Sequence, residues 1–149
     1  MDNYKDLDIY IKDIKGFSLS SPYGDGKSLG QPLGLKSVGF VQVISNSGIS
    51  GLGETYAGVY SPELISPVVE FLKNYLIGKK IADTNICKFL SSIPFIARNG
   101  LIQSIISAID IAIWDLRGKI LELPCYKILN SFSQNKIKTY ASSGTAIFS

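Results

Sequence analysis

Histidine is absent from this 149-residue chain. Without it there is no Ser-His-Asp or Cys-His nucleophile system, no His-ligated zinc, and no side chain that titrates unperturbed between about pH 5 and 8. Acid or base chemistry would fall to Lys, Asp, Glu or Tyr. Cysteine is scarce: Cys87 and Cys125 stand far apart and form no C-x-x-C pair. That argues against a disulfide framework or a thiolate metal site, and for small buried hydrophobes in a reducing compartment. Charge is also low, 18% of residues, against roughly 25% in an average soluble domain, and the mean hydropathy is +0.21. Some apolar surface is therefore expected to meet a partner. The net charge of +3 is spread without a dense basic block, so nucleic acid is not an expected partner. Long hydrophobic runs are missing too: residues 101–123 are interrupted by Asp110, Asp115, Arg117 and Lys119, short of the roughly 18 apolar residues that span a bilayer. The first residues alternate charged and apolar side chains, unlike a secretory signal. The expectation is a cytoplasmic protein that does not engage a membrane.

The period of the apolar residues changes along the chain, and an α+β fold follows from that change. Residues 9–19 alternate (Ile9, Ile11, Phe17, Leu19) and predict a half-buried strand with an irregularity at Gly16. Residues 20–37 are rich in Gly, Pro and Ser with scattered lysines and predict a long loop, the first place to look for a ligand. Residues 38–45 and 49–57 predict two more strands joined by Asn46-Ser47-Gly48, completing a three-stranded antiparallel sheet. Helical spacing then takes over at Leu64, Ile65, Val68, Val69, Leu72 and Leu76, with Ser61-Pro62 as the start, a kink allowed at Pro67, and Gly78 as the stop. A shorter helix is expected over 83–91. The longest covers 101–123, where Ala108 and Ala112 permit close approach of a neighbour and Asp115 precedes Lys119 by four residues. One more turn follows over 126–129, and residues 136–142 alternate as a strand.

Several motifs have plain readings. Gly26-Lys27-Ser28 resembles the end of a phosphate-binding loop, but Ser21 stands where that pattern needs glycine and Pro32 follows where it needs a helix. Gly51-x-Gly53-Glu54 lacks the third glycine of a dinucleotide fingerprint, and Glu54 reads as a structural carboxylate at a strand end. Asp110, four residues before Trp114, reads as a hydrogen-bonded core acid beside a packing indole.

Three segments, in order, carry a family resemblance. The run from Ala108 through Trp114-Asp115-Leu116-Arg117-Gly118-Lys119, followed by Pro124 and Tyr126-Lys127-Ile128-Leu129, resembles the last helices of the N-terminal capping domain in the mandelate racemase/muconate lactonizing enzyme family of the enolase superfamily. Gly51-Leu52-Gly53-Glu54-Thr55 is similar to the end of that domain's third strand, and Lys138-Thr139-Tyr140-Ala141-Ser142 to the strand that opens the family's barrel. The resemblance implies an enolase N-terminal-like capping domain over residues 1–134 and the start of a (β/α) barrel over 135–149, with the rest of the barrel absent. It implies Mg²⁺, held by carboxylates downstream, and removal of a proton next to a substrate carboxylate. No catalytic or metal-binding residue of the family matches a position in this chain.

Carried over from the family, two capping loops and the first barrel strand would meet substrate. Tyr23, Lys27 and Lys36 come from the first loop, Tyr56 and Tyr60 from the segment after Glu54, and Tyr140 and Ser142 from the strand. The resulting expectation is the N-terminal part of an acid-sugar dehydratase, or of a racemase, epimerase or cycloisomerase acting on a small carboxylate. This part serves as its specificity cap, is inactive by itself, and belongs to an enzyme expected to be a homo-oligomer. The alternative is a stand-alone, non-catalytic α+β module for oligomerisation or partner binding.

Overall fold

A computed structural model describes residues 8–22, 34–83, 85–93, 100–129 and 136–141. Three antiparallel strands, β1 (Ile11–Pro22), β2 (Leu35–Ser45) and β3 (Ser50–Thr55), form one sheet in sequence order. Among the described residues five helices follow: α1 (Ala57–Tyr60), α2 (Ile65–Lys73), α3 (Ile86–Ser92), α4 (Gly100–Leu121) and α5 (Cys125–Leu129), with a 3-10 turn over Pro62–Leu64. The expected α+β order is thus observed: a hairpin-linked sheet, then helices.

Alternation along the strands separates two faces. On the inner face Ile14, Val41 and Val43 are buried against Ile65, Val69 and Leu72 of α2 and Ile105, Ala108, Ile109, Ala112 and Leu116 of α4. α2 lies over β1, and α4 crosses β3 and β2. The crossing is close because β3 carries glycine where it meets the helix. A Cβ on Gly51 would stand 2.0 Å from the Ala112 carbonyl oxygen, and one on Gly53 2.0 Å from that of Ala108. The Gly-x-Gly spacing therefore serves helix–sheet packing against the two alanines. α4 also seals the outer edge of β3: an Asp115 carboxylate oxygen accepts from the Leu52 N–H (2.9 Å), and Lys119 Nζ donates to the Ser50 carbonyl (3.0 Å) while pairing with Asp115 (2.7 Å). Such cover keeps an edge strand from recruiting another chain.

The structure revises several expectations. The irregularity in β1 falls between Ile11 and Asp13, and Gly16 pairs regularly with Val41. The ends of the expected loop are strand: Ser20 pairs with Ser37, Ser21 with Lys36 and Pro22 with Leu35, because sheet hydrogen bonding extends wherever a partner strand continues, whatever the local composition. β3 ends at Thr55, two residues before the expected 57, and Ala57–Tyr60 form α1. α2 begins at Ile65 after the 3-10 turn, and Pro67 sits in its first turn without breaking it, where a missing N–H costs nothing. α2 ends at Lys73, short of the stop expected at Gly78, and residues 74–78 continue as turns up to Gly78, whose φ of 79 is left-handed. Residues 136–141 adopt no regular structure and are exposed. Alternation alone does not make a strand; a second strand must accept its hydrogen bonds, and none pairs with these residues among the described ones.

Candidate functional site

Thr55, the last residue of β3, is buried and fully engaged. Its Oγ1 accepts from the Ala57 N–H (3.2 Å), starting α1, and lies 2.9 Å from Ser104 Oγ on α4. A hydroxyl that bonds the backbone two residues on is a common way to turn the chain into a helix. α1 is thereby fixed between the sheet and α4. Tyr56 and Tyr60 flank it four residues apart, with hydroxyls 3.1 Å apart and rings edge-to-face at 5.3 Å. The hydrogen bond with Tyr56 raises the pKa of Tyr60, since a Tyr60 hydroxyl that donates to Tyr56 is held in its neutral form.

Tyr60 divides two clefts. One, about 250 Å³, lies between the β1–β2 ladder and the segment after α1, lined by Ser20, Leu35, Ser37, Val59, Tyr60 and Glu63. The other, about 260 Å³, is lined by Tyr56, Ala57, Tyr60, Leu101 and Ser104. In the first, Ser37 is only 5% exposed, and its Oγ lies 2.8 Å from Ser20 Oγ. The first cleft is thus polar on one wall and aromatic on the other, while the second is mostly apolar.

Of the residues expected to meet substrate, Tyr56 and Tyr60 come together. Lys36 is exposed on β2 next to Ser37, so strand alternation sends it to the opposite sheet face. Tyr140 is 91% exposed and lines neither cleft. Tyr23, Lys27 and Ser142, with the Gly26-Lys27-Ser28 motif, lie outside the described residues. Ser20, Ser37 and Glu63 were missed by sequence reasoning. Ser20 and Ser37 bounded a segment read as loop, and no spacing rule joins residues 17 apart; only the strand register does so.

A third cleft, about 330 Å³, separates α3 from α4 and is lined by Cys87, Lys88, Gln103, Ser107 and Asp110. Burial, with the Asp110 carboxylate facing it, pushes the Cys87 thiol up to about 12. That thiol is a poor nucleophile near neutrality. The Trp114 ring packs under the Arg117 guanidinium at 4.6 Å. Arg117 is 2% exposed and donates to the carbonyls of Ile81 (2.6 Å) and Asp83 (2.9 Å), so it ties the connection before α3 to α4. Nothing in the spacing of α4 marked it as a core residue. Glu54 is exposed and pairs in register with Phe40. Among the described residues no three Asp, Glu, Cys or His side chains converge to hold a metal ion, so Mg²⁺ does not fit the residues seen here. No helix among them is long and apolar enough to cross a membrane.

Residues 31–130 match the model of the mandelate racemase/muconate lactonizing enzyme N-terminal domain. A D-galactonate dehydratase from Pectobacterium atrosepticum is 33% identical over 103 residues, which make up 68% of this chain and 27% of the dehydratase. The solved structure of the 3,6-anhydro-D-galactonate cycloisomerase from Zobellia galactanivorans is similar with a TM-score of 0.67 and 28% identity, over 81% of this chain and 32% of that one. A member of the enolase superfamily from Agrobacterium tumefaciens shares the fold, with a TM-score of 0.65 and 20% identity over 83% of this chain and 38% of its own. The chain thus spans about a quarter to two-fifths of the length of these relatives.

Proposed function

The chain belongs to the mandelate racemase/muconate lactonizing enzyme family, and from that premise we propose that it is the substrate-specificity cap of a Mg²⁺-dependent enzyme that removes the proton next to a substrate carboxylate. Residues 1–134 form the cap and 135–149 lead into the barrel. The substrate is a small hydroxylated carboxylic acid, and the reaction is loss of water or an isomerisation. The carrying observation is the pair of clefts divided by Tyr60, which place hydroxyls and an aromatic wall side by side. That combination suits a polyhydroxylated ligand, with hydrogen bonds to its hydroxyls and ring contact to its C–H groups. The similarity to a dehydratase and a cycloisomerase of galactonate derivatives supports the same class. Mg²⁺ would be held by carboxylates outside the described residues and would supply Lewis-acid chemistry there; Tyr56 and Tyr60 would orient the substrate.

The test is an acid-sugar panel assayed with the enzyme comprising this chain and its barrel. Turnover that a chelator abolishes is expected from that enzyme, and none from the 149-residue chain alone. Turnover by this chain alone would overturn the division of labour.

A further inference from the structure

With four residues and no side-chain bond at its N-cap, Tyr56, α1 has little to hold it together from within; isolated helices shorter than about 12 residues are marginal in water. Its place is set from two sides. Toward the sheet, Gly58 rests on the backbone of β2: an added Cβ there would overlap the Gly39 nitrogen, and one on Gly39 would come within 2.9 Å of the Gly58 Cα. Toward α4, Thr55 Oγ1 accepts from the Ala57 N–H (3.2 Å) and lies 2.9 Å from Ser104 Oγ. A hydroxyl carries one proton and two acceptor sites. Thr55 uses one acceptor site on the Ala57 N–H, so its bond with Ser104, whichever hydroxyl donates, fixes the direction of the Thr55 side chain and with it the point where the chain turns into α1. Thr55 is 2% exposed, and a buried hydroxyl left without its partner is costly. Tyr56 is the next residue along the chain and Tyr60 ends the helix, so both rings follow the placement of α1.

We infer that Ser104 is a positioning residue for the tyrosine pair: acting through Thr55, it seats α1 and so holds Tyr56 and Tyr60 in the arrangement in which their hydroxyls stand 3.1 Å apart. The inference rests on the proposed function, in which these tyrosines orient the substrate, and adds to it a residue on α4 that acts through another side chain. When α1 is seated in only a fraction of molecules, apparent affinity falls by that fraction. Bound substrate restores the seat, so the step after binding is unaffected. A seated fraction reduced to about one fifth therefore raises KM about fivefold and leaves kcat unchanged.

The experiment uses the enzyme comprising this chain and its barrel, with amide hydrogen exchange read by mass spectrometry and steady-state kinetics on the acid-sugar panel. Ser104→Ala speeds exchange over residues 56–61 about tenfold and leaves β1 and β2 as protected as in the parent. It raises KM about fivefold with kcat within about twofold of the parent. Ser104→Thr, which keeps the hydroxyl, restores both readings. Ser104 also lines the second cleft, so Thr55→Val separates the two ways it could act. Thr55→Val reproduces the effect of Ser104→Ala, and the double variant is no worse than either single one, because both remove the same bond. Effects that multiply in the double variant would mean that Ser104 touches substrate directly, and would overturn the positioning role. Unchanged exchange over 56–61 in Ser104→Ala, or a loosened α1 with KM unchanged, overturns the inference and spares the proposed function. A fall in kcat at constant KM, with exchange raised throughout the domain, marks a general loss of fold and overturns it as well. Absence of turnover by the parent with every sugar acid overturns the proposed function and, with it, the substrate-orienting part of this inference; the exchange result then decides whether the Ser104 bond seats α1.

Discussion

Cys87 shows how much a residue's chemistry depends on what is placed beside it. By composition it is one of two cysteines of a reduced protein; in the fold it is half-buried between α3 and α4 with its thiol raised to about 12, first by burial and then by Asp110. At pH 8 a pKa of about 12 leaves roughly one thiol in ten thousand ionised. Native Cys87 is therefore expected to react with iodoacetamide at least about 100-fold more slowly than the same residue in urea, measured by mass spectrometry of the labelled peptide. The sign of the linkage follows. An acid with its folded pKa raised above an unfolded value near 9 contributes stability that is complete below that value and is lost as pH climbs toward 12. The alkaline fall in urea midpoint should be shallower for Cys87→Ala than for the parent. An equal slope would mean the thiol is not held protonated.

At the level of elements, the contact between β3 and α4 organises the domain. Its glycines and alanines were visible as separate motifs, Gly51-x-Gly53 on one segment and Ala108 with Ala112 on another. What pairs them is a helix passing close enough that a methyl group on the strand would overlap backbone oxygen. Gly53→Ala is expected to destabilise by about 3 kcal/mol, since the obstacle is backbone and cannot rotate away. Gly100→Ala, where an added Cβ meets nothing within 4 Å, should change stability by less than about 0.5 kcal/mol. Urea denaturation of both variants checks the pair; similar midpoints would refute the close crossing. The same elements show why site residues were only partly legible. Tyr56 and Tyr60 were carried over from the family resemblance, and α1, with the two four residues apart, brings their hydroxyls together. Ser20, Ser37 and Glu63 meet through strand register and the turn after α1, which composition had assigned to a loop and to an uninterrupted helix start.

Over the whole molecule, exposed apolar side chains among the described residues include two groups. Phe17, Leu19 and Leu52 lie on the sheet face turned away from the helices, and Leu129, Ile137 and Tyr140 lie exposed beyond α4. Surfaces of this kind associate in water. The 149-residue chain expressed by itself is expected to bind an apolar dye and to self-associate at micromolar concentration, as read by fluorescence and analytical ultracentrifugation. A cooperative monomer with low dye binding would count against a missing cover.

The amino-acid order by itself determined the α+β succession, the three-strand sheet, the long apolar helix and the family motifs, because period and turn chemistry are local and survive being read one residue at a time. The tertiary structure decided the rest. It extended β1 and β2 into the expected loop, turned residues 57–60 into a helix, buried Arg117 and left residues 136–141 unpaired. The physical reason is common to all four: each depends on a partner distant in sequence. A ladder needs a second strand, a helix needs the hydroxyl of Thr55 held against Ser104, and a buried guanidinium needs the carbonyls of Ile81 and Asp83.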